Sequence, residues 1–245
     1  GRPLNVNCVL NRYIPVILVA LGVATGCPGD TKDGVPTLRH VTILATNDFH
    51  GAFHEEVIDG VAHGGAEALA ETIADARSDS KHVLLVDGGD LFQGTPLVNA
   101  TEGMASVELF NRLGYDAVAV GNHEFDYRGP KDDLRAPLKA AAAAATFPFL
   151  TANTFHDDGS AFLAPGIRRS VIIERGGVQI GVMGLTTVTT RTSTHPANVV
   201  GLTFAPVQDV AVEVAADLRA RGAEVVIALA HVSGACGEER HPGVT

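Results

Sequence analysis

The chain has 245 residues, of which 46% are apolar and 19% charged, a composition typical of a globular domain. Its 18 basic and 28 acidic side chains give a formal net charge of −10. This balance argues against duplex nucleic acid as a partner, because phosphate backbones are bound by basic surfaces. A small phosphorylated substrate stays compatible with it, since bound metal ions can supply positive charge.

The first 26 residues have the pattern of a signal peptide. Two arginines precede an uncharged run at residues 14–24, which is shorter than the roughly 20 residues that a membrane-spanning helix needs. The small residues directly before Cys27 resemble the lipobox of bacterial lipoproteins, in which the cysteine is acylated. We therefore predict an exported protein, periplasmic or at the cell surface, with lipid attached at Cys27. An ordinary cleaved signal is the alternative.

A polar linker at residues 27–37 contains two prolines and two glycines, and a single domain is predicted from residue 38 to 245. Loss of the signal would remove Cys8 and leave Cys236 without a partner. The chain begins with glycine and stops without a closing element. These features predict a fragment of a longer protein.

Strands and helices alternate along the predicted domain. Apolar strands that alternate with helices indicate parallel strands covered on both faces, which is an α/β architecture. Strands are predicted at residues 40–46, 82–87, 115–121, 147–153 and 223–231, with a hairpin at 170–186. Helices are predicted at about residues 66–78, 102–113, 131–145 and 207–221.

Polar side chains gather where four of these strands end. Ligands in open α/β sheets bind outside the carboxyl ends of the strands, so we expect these side chains at one edge. A mixture of carboxylate, imidazole and amide oxygen suits Zn, Mn, Fe or Mg, whereas a thiolate site needs cysteines that this chain lacks. A role in capping a helix can explain one aspartate after a strand, but it does not explain polar side chains after four different strands. The residues are Asp48, His50, Asp90, Asn122, His123, Asp126 and His231.

Five stretches in order resemble the motifs of the calcineurin-like metallophosphatases: "TNDFHG", "GGDLFQGTP", "GNHEFDYRG", "GVMGLTT" and "ALAH". The resemblance is closest to the bacterial 5'-nucleotidase branch, which includes UDP-sugar hydrolases and 2',3'-cyclic nucleotide phosphodiesterases. It implies a layered sandwich of mostly parallel β-sheet covered by helices, incomplete at the C-terminus. It also implies hydrolysis of nucleotide phosphate esters by a metal-bound hydroxide, with two divalent ions (Zn, Mn, Fe, Mg or Ca).

The same resemblance assigns roles to individual metal-site residues. It implies that Asp48 and His50 hold the first ion, that Asp90 bridges both ions, and that Asn122 and His231 hold the second.

The resemblance separates His123 from the metal ligands. His123 would face the substrate phosphate, and Asp126 would accept its other ring N–H. Glu124 is interpreted as a turn or structural residue. Other polar residues near the motifs are expected at the surface: His54, His63, Arg128, Arg191 and His195. Contact with the substrate phosphate is the alternative for the two arginines.

The family pattern is not matched throughout. Its Gly-His-x-His motif, with one ligand for each metal, has no counterpart after His231, because His241 stands too close and alone. The C-terminal domain that grips the nucleoside is also missing, which the fragment interpretation explains, and the fragment alone is expected to be weak or inactive. Two alternatives stay open: a thiosulfohydrolase on the same scaffold, and a lipoprotein that binds a ligand without turnover.

Overall fold

The computed structural model describes residues 17–23 and 38–232. Its strands are β1 (Ile17–Val23), β2 (Arg39–Thr46), β3 (Glu56–Ile58), β4 (Val61–His63), β5 (Val83–Asp87), β6 (Ala117–Ala119), β7 (Phe149–Leu150), β8 (Thr154–His156), β9 (Ile167–Arg168), β10 (Ser170–Arg175), β11 (Val178–Thr186), β12 (Leu202–Phe204) and β13 (Val225–His231). Its α-helices are α1 (Gly65–Asp79), α2 (Pro96–Ala100), α3 (Met104–Leu113), α4 (Ala136–Ala144), α5 (Thr190–Ser193) and α6 (Val207–Ala220), and 3₁₀ turns span His123–Phe125 and Pro196–Asn198.

Two sheets form the centre of the fold. The main sheet has the order β1-β2-β5-β6-β7-β9, in which the five strands after β1 are parallel to one another. The second sheet has the order β10-β11-β13, with an antiparallel β10–β11 hairpin and a parallel β11–β13 pair. Two short antiparallel pairs, β3–β4 and β8–β12, lie outside these sheets.

Apolar side chains on alternating strand positions fill three layers of core, because successive residues of a strand face opposite sides. Leu44, Leu85 and Val118 of the main sheet pack with residues of α1, α3 and α4. The opposite face of the main sheet packs against the second sheet through clusters such as Ile43, Leu84 and Val182. The outer face of the second sheet packs against α6. The layers are therefore helices, sheet, sheet and helix.

The predicted α/β sandwich with mostly parallel strands is confirmed, but the cover of the main sheet differs from the expectation. Helices cover one face only, and the second sheet covers the other. The hairpin strand β11 is buried at eight of its nine residues. A strand buried on both faces has no apolar alternation that would reveal which layer lies on each side.

Several predicted boundaries were wrong. The predicted helix at 131–145 begins only at Ala136, because residues 129–134 form a turn in which Gly129 N–H donates to the Leu134 carbonyl. The predicted strands at 115–121 and 147–153 pair only over Ala117–Ala119 and Phe149–Leu150. The β3–β4 hairpin was not predicted.

The N-terminal predictions fall mostly outside the described residues. β1 lies within the predicted signal and pairs antiparallel with β2 at the edge of the main sheet, so the parallel strands pair with one another independently of it. Residues 1–16 and 24–37, with Cys27 and the linker, and residues 233–245, with Cys236 and His241, lie outside the described part. No helix within residues 38–232 is long and apolar enough to cross a membrane.

Candidate functional site

The carboxyl ends of both sheets meet at one edge of the molecule. In the main sheet Thr46 pairs with Asp87, and Asp87 with Val118, so β2, β5 and β6 end level with one another. In the second sheet Thr186 pairs with His231. The Thr186 hydroxyl donates to the Val120 carbonyl at 2.7 Å, which joins the two sheets at this edge. The polar residues after four strands are therefore brought together, as the sequence predicted.

Asp90 lies at the centre of this cluster. Its side chain is only 4% exposed, and its Oδ2 atom lies 3.1 Å from His231 Nε2 and 3.7 Å from His50 Nε2. Its other oxygen, Oδ1, accepts the backbone N–H of His123 at 2.9 Å. Asp48 Oδ1 lies 3.8 Å from His50 Nε2. One buried carboxylate oxygen thus faces two imidazoles from different sheets.

Two groups of donor atoms in the described part of the chain fit a pair of divalent cations. His50, Asp90 and His123 form one group, Asp48, Asp90 and His231 form the other, and the donor atoms of each group lie within 4.8 Å of one another. The groups share Asp90, and a shared carboxylate is a geometry that suits two-metal sites. The oxygen and nitrogen donors suit borderline to hard divalent ions.

Hydrogen bonds orient both metal-site imidazoles. His50 Nδ1 lies 3.2 Å from the Phe92 carbonyl, and His231 Nδ1 lies 3.2 Å from the Gly88 carbonyl. A carbonyl accepts only, so each ring carries its proton on Nδ1 toward the backbone. This leaves Nε2 of each ring directed at Asp90. In the neutral ring that atom is free to bind a cation, which is the arrangement commonly found around metal-binding histidines.

The donor groups divide differently from the predicted ligand sets. The sequence placed Asp48 with His50, and these two residues lie 3.8 Å apart, while the donor groups also bring Asp48 together with His231 and His50 together with His123. Asn122 lines a cavity beside the cluster, and its Nδ2 donates to the Ser193 carbonyl at 3.2 Å, so its amide oxygen is the atom left for a ligand. The individual ligand assignments stay predictions.

His123 and Asp126 form the pair that the sequence predicted. His123 Nδ1 lies 2.5 Å from Asp126 Oδ2, which leaves Nε2 as the ring atom that can act on a ligand. The His50 and His123 rings meet edge to face, with centroids 5.1 Å apart. The geometry is compatible with His123 at a metal as well as at a substrate, and these two roles predict different metal contents in a His123 variant.

Three residues of the cluster have a strained backbone. Asp48, His50 and Asp90 have φ values of 54°, 45° and 63°, in the left-handed region. Such conformations cost on the order of 1–3 kcal/mol each and persist where the surroundings enforce them. Here Asp48 N–H donates to the Gly89 carbonyl and His50 N–H to the Asp90 carbonyl. This strain argues that the residues do more than form ordinary turns.

Gly121 allows the loops after β5 and β6 to approach closely. A Cβ atom at this position would lie 2.1 Å from Asp90 Oδ1 and 2.7 Å from Asp90 N. Those distances are far below van der Waals contact, so any other residue would displace the Asp90 loop. The "GNHEFDYRG" motif therefore needs its first glycine to place Asp90.

Glu124 has a structural role that the sequence only suggested. It is 1% exposed, and its carboxylate accepts four backbone N–H groups, those of Asp90, Leu91, Phe92 and Gly121, at 2.6–3.2 Å. Burial and the charge of Asp90 raise the pKa of Glu124, whereas the N–H donors act to lower it. The side chain holds the loop after β5 against the loop after β6.

Replacing Glu124 with glutamine should destabilise this pair of loops. Oε1 accepts from Leu91 and Phe92, and Oε2 from Asp90 and Gly121, so either amide orientation would set an NH₂ group against two donors. We expect a loss of about 2–4 kcal/mol in the free energy of unfolding, measured by urea denaturation with a chelator present. Glu108→Gln on α3, where an exposed side chain pairs with Arg112, is the control and should change stability by less than about 1 kcal/mol. Equal effects in both variants would contradict the proposed role of Glu124.

The proton equilibria of the cluster reflect contacts with Asp90 and Asp126. Burial acts to lower the pKa of His231, but the hydrogen bond and charge of Asp90 outweigh it and raise that pKa to about 9. Burial acts to raise the pKa of Asp90, whereas contacts with His231 and His123 hold it below its usual range. The hydrogen bond to Asp126 raises the pKa of His123. Cation binding at Asp90 would compete with these protons.

A cavity of about 540 Å³ opens beside the cluster. Asp48, Asn122 and His231 line one part of it, and the loop after β11 contributes Thr187, Thr189 and Ser193. The "GVMGLTT" motif was recognised in the sequence, but no site residue was predicted in it. The motif alone does not show that β11 pairs with β13, which is the pairing that brings this loop to the site. His54, His195, Arg128 and Arg191 are exposed and His63 is half-buried.

Comparison with known proteins agrees with this geometry. Residues 41–243 match the calcineurin-like phosphoesterase family. The chain is 36% identical over 163 residues to a snake venom 5'-nucleotidase of Gloydius brevicauda, covering 64% of this chain and 27% of that protein. It is 33% identical over 180 residues to protein UshA of Salmonella pullorum, covering 73% of this chain and 31% of that protein.

A solved structure supports the same conclusion. The 5'-nucleotidase precursor of Thermus thermophilus superposes with a TM-score of 0.68 at 28% identity, over 78% of this chain and 37% of that chain. This chain therefore spans about a third of the length of these relatives. The family match extends over most of the chain and contains every residue of the cluster built around Asp90. The chain belongs to the calcineurin-like phosphoesterase family.

Proposed function

We propose that the protein is a metal-dependent phosphoric ester hydrolase of the 5'-nucleotidase type. The observation that carries this proposal is the pair of donor groups that share buried Asp90 at the edge where four strands end. The printed names of the relatives support a nucleotide as the substrate, because two of the three described above are 5'-nucleotidases. Family membership supports an ester of phosphoric acid as the bond that is cleaved.

The residues of the cluster divide into those that would hold cations and those that would act on the substrate. We propose Asp48, His50, Asn122 and His231 as ligands, with Asp90 as the ligand common to both ions. Bound divalent ions supply positive charge that offsets that of a phosphate, and they lower the pKa of a water from 15.7 to about 7. His123 Nε2 would donate to a phosphoryl oxygen or to the leaving alkoxide, while Nδ1 stays bonded to Asp126.

The proposal includes export. The uncharged run at residues 14–24 and the small residues before Cys27 support a lipoprotein-type signal with lipid attachment at Cys27. The names of the relatives, a venom enzyme and a precursor, indicate that export occurs among similar proteins. Mass spectrometry of the mature N-terminus checks this proposal: a diacylglyceryl cysteine at position 27 supports it, and an unprocessed chain contradicts it.

Substrate class is tested with the full-length protein. After treatment with a chelator, Mn²⁺, Zn²⁺, Mg²⁺ or Ca²⁺ is added back, and phosphate release is measured from 5'-AMP, UDP-glucose and a 2',3'-cyclic nucleotide. We expect hydrolysis that depends on the added ion. Sulfate release from a thiosulfate derivative, with no phosphate release from any ester, would instead identify a thiosulfohydrolase. Binding of nucleotide without turnover under every metal condition would identify a binding protein.

A further inference from the structure

The segment Ser193–Asn198 of the second half of the chain reaches across the sheet edge to the "GNHEFDYRG" motif. Thr194 Oγ1 donates to Asp126 Oδ1 at 2.6 Å. Asn198 Nδ2 donates to the carbonyls of Phe125 and Asp126 at 3.0 and 2.8 Å. The Ser193 carbonyl accepts from the side chain of Asn122. These contacts reach Asn122 and Asp126, which the proposed reaction needs, and the backbone between them.

We propose that Thr194 is a positioning residue, which orients the Asp126 carboxylate so that its second oxygen holds the Nδ1 proton of His123. This inference rests on the proposed function, because the orientation matters only if His123 acts on substrate. Thr194 does not reach the cavity itself: it is 8% exposed, and its hydroxyl is bonded to Asp126.

The hydrogen-bond directions are determined by the chemistry of the groups. A carboxylate only accepts hydrogen bonds, so the Thr194 hydroxyl must donate to Asp126 Oδ1 and the imidazole must donate from Nδ1 to Oδ2. With both oxygens held by different donors, rotation of the carboxylate would break two bonds at once. The Asp126 side chain is 20% exposed, so without Thr194 one oxygen could turn toward water.

Asn198 provides the backbone part of the same support. Its two hydrogen bonds hold the carbonyls at the end of the 3₁₀ turn His123–Phe125, and its side chain is buried with 3% exposure. The backbone from which the Asp126 side chain extends is therefore fixed from the same segment that fixes its carboxylate. His123 is thus oriented through contacts made with the second sheet's loop and not by its own loop alone.

Loss of an orienting hydrogen bond beside a functional histidine typically lowers activity about 10- to 100-fold. Thr194→Val replaces the hydroxyl with a methyl group at nearly constant volume, and Thr194→Ser restores the hydroxyl. We expect Thr194→Val in the full-length protein to lower kcat about 10- to 100-fold, with KM and metal content close to wild type. Thr194→Ser should stay within about 3-fold of wild type. Thr194→Ala is measured alongside, so that a folding defect specific to valine does not decide the outcome.

The ring tautomer of His123 gives a readout that does not depend on turnover. ¹⁵N NMR of the zinc-loaded protein reports which ring nitrogens are protonated, and the His123→Asn spectrum identifies the His123 signal among those of the other histidines. We expect Nδ1 of His123 to be protonated in wild type and in Thr194→Ser, with Nε2 also protonated in the form that donates to substrate, and partial loss of the Nδ1 proton in Thr194→Val and Thr194→Ala. An unchanged tautomer and an unchanged kcat in the valine and alanine variants would overturn the inference.

A double-mutant cycle separates this inference from the proposed function. If Thr194 acts through His123, then Thr194→Val should have no further effect on kcat in the His123→Asn background. An additive loss would show that Thr194 acts by another route and would overturn the inference while leaving the proposed function standing. A wild-type protein that hydrolyses no ester would overturn the proposed function, and the tautomer measurement would still decide whether Thr194 orients His123.

Discussion

Replacing Asp90 with asparagine is expected to remove metal ions from both halves of the site together and to lower phosphatase activity by more than about 1000-fold. The Asp90 side chain is common to both donor groups, and its Oδ2 atom faces His50 Nε2 and His231 Nε2. Asparagine has nearly the same shape but loses the negative charge that both cations would share. Elemental analysis of the purified full-length variant measures the ions directly, and kcat/KM with the preferred nucleotide measures the catalytic loss.

A matched control for this substitution lies three residues earlier in the chain. Asp87 is fully buried, and it accepts hydrogen bonds from the Thr46 hydroxyl at 2.6 Å and the Gly89 N–H at 2.7 Å. Asp87 belongs to neither donor group, so an amide at this position leaves the Asp90 oxygen that faces His50 and His231 in place. Asp87→Asn should keep both ions. Retention of one ion by Asp90→Asn would exclude Asp90 as a bridging ligand.

Much of the site could be predicted from the sequence because ligands of open α/β sheets bind where the strands end. That prediction needs only the positions of the strands and the residues that follow them. The strands before Asp48 and Asp90, and the strand that ends at His231, were all predicted from their apolar runs. The alternation of strands and helices also placed the parallel main sheet correctly. These features depend on local patterns, which a single sequence contains.

Other features depend on contacts between distant segments and could not be predicted from local pattern. The hydrogen bonds of the Glu124 carboxylate require that the loop after β5 lie against the loop after β6, more than 30 residues away. The contact of Thr194 with Asp126 spans 68 positions and two sheets. The second sheet, which covers one face of the main sheet, also depends on a distant contact, since β11 pairs with β13 about 45 residues later in the chain. A threonine or a glutamate in a polar loop has no sequence pattern that identifies its partner.

The substitution His123→Asn is expected to lower kcat about 10²- to 10⁴-fold while the metal content stays close to wild type. Asparagine cannot donate from the position of the imidazole Nε2, so the proposed proton donor is lost. The contact of residue 123 with Asp90 is made by its backbone N–H, which the substitution keeps. The support of the Asp90 carboxylate therefore survives, and a metal loss would have to come from the missing ring.

Metal content decides between the two roles that the geometry permits for His123. The grouping of His50, Asp90 and His123 would allow the ring to bind a cation, in which case His123→Asn should lose an ion. The hydrogen bond between Nδ1 and Asp126 orients the ring in either role, and if the ring acts on substrate, the ions remain and turnover falls. Two reference variants calibrate the answer. His50→Asn should lose an ion, whereas His54→Asn, at an exposed position, should change neither metal content nor kcat. A His123 variant that behaves like His50→Asn would move His123 into the ligand set, and the proton donor would then have to be sought elsewhere in the cavity.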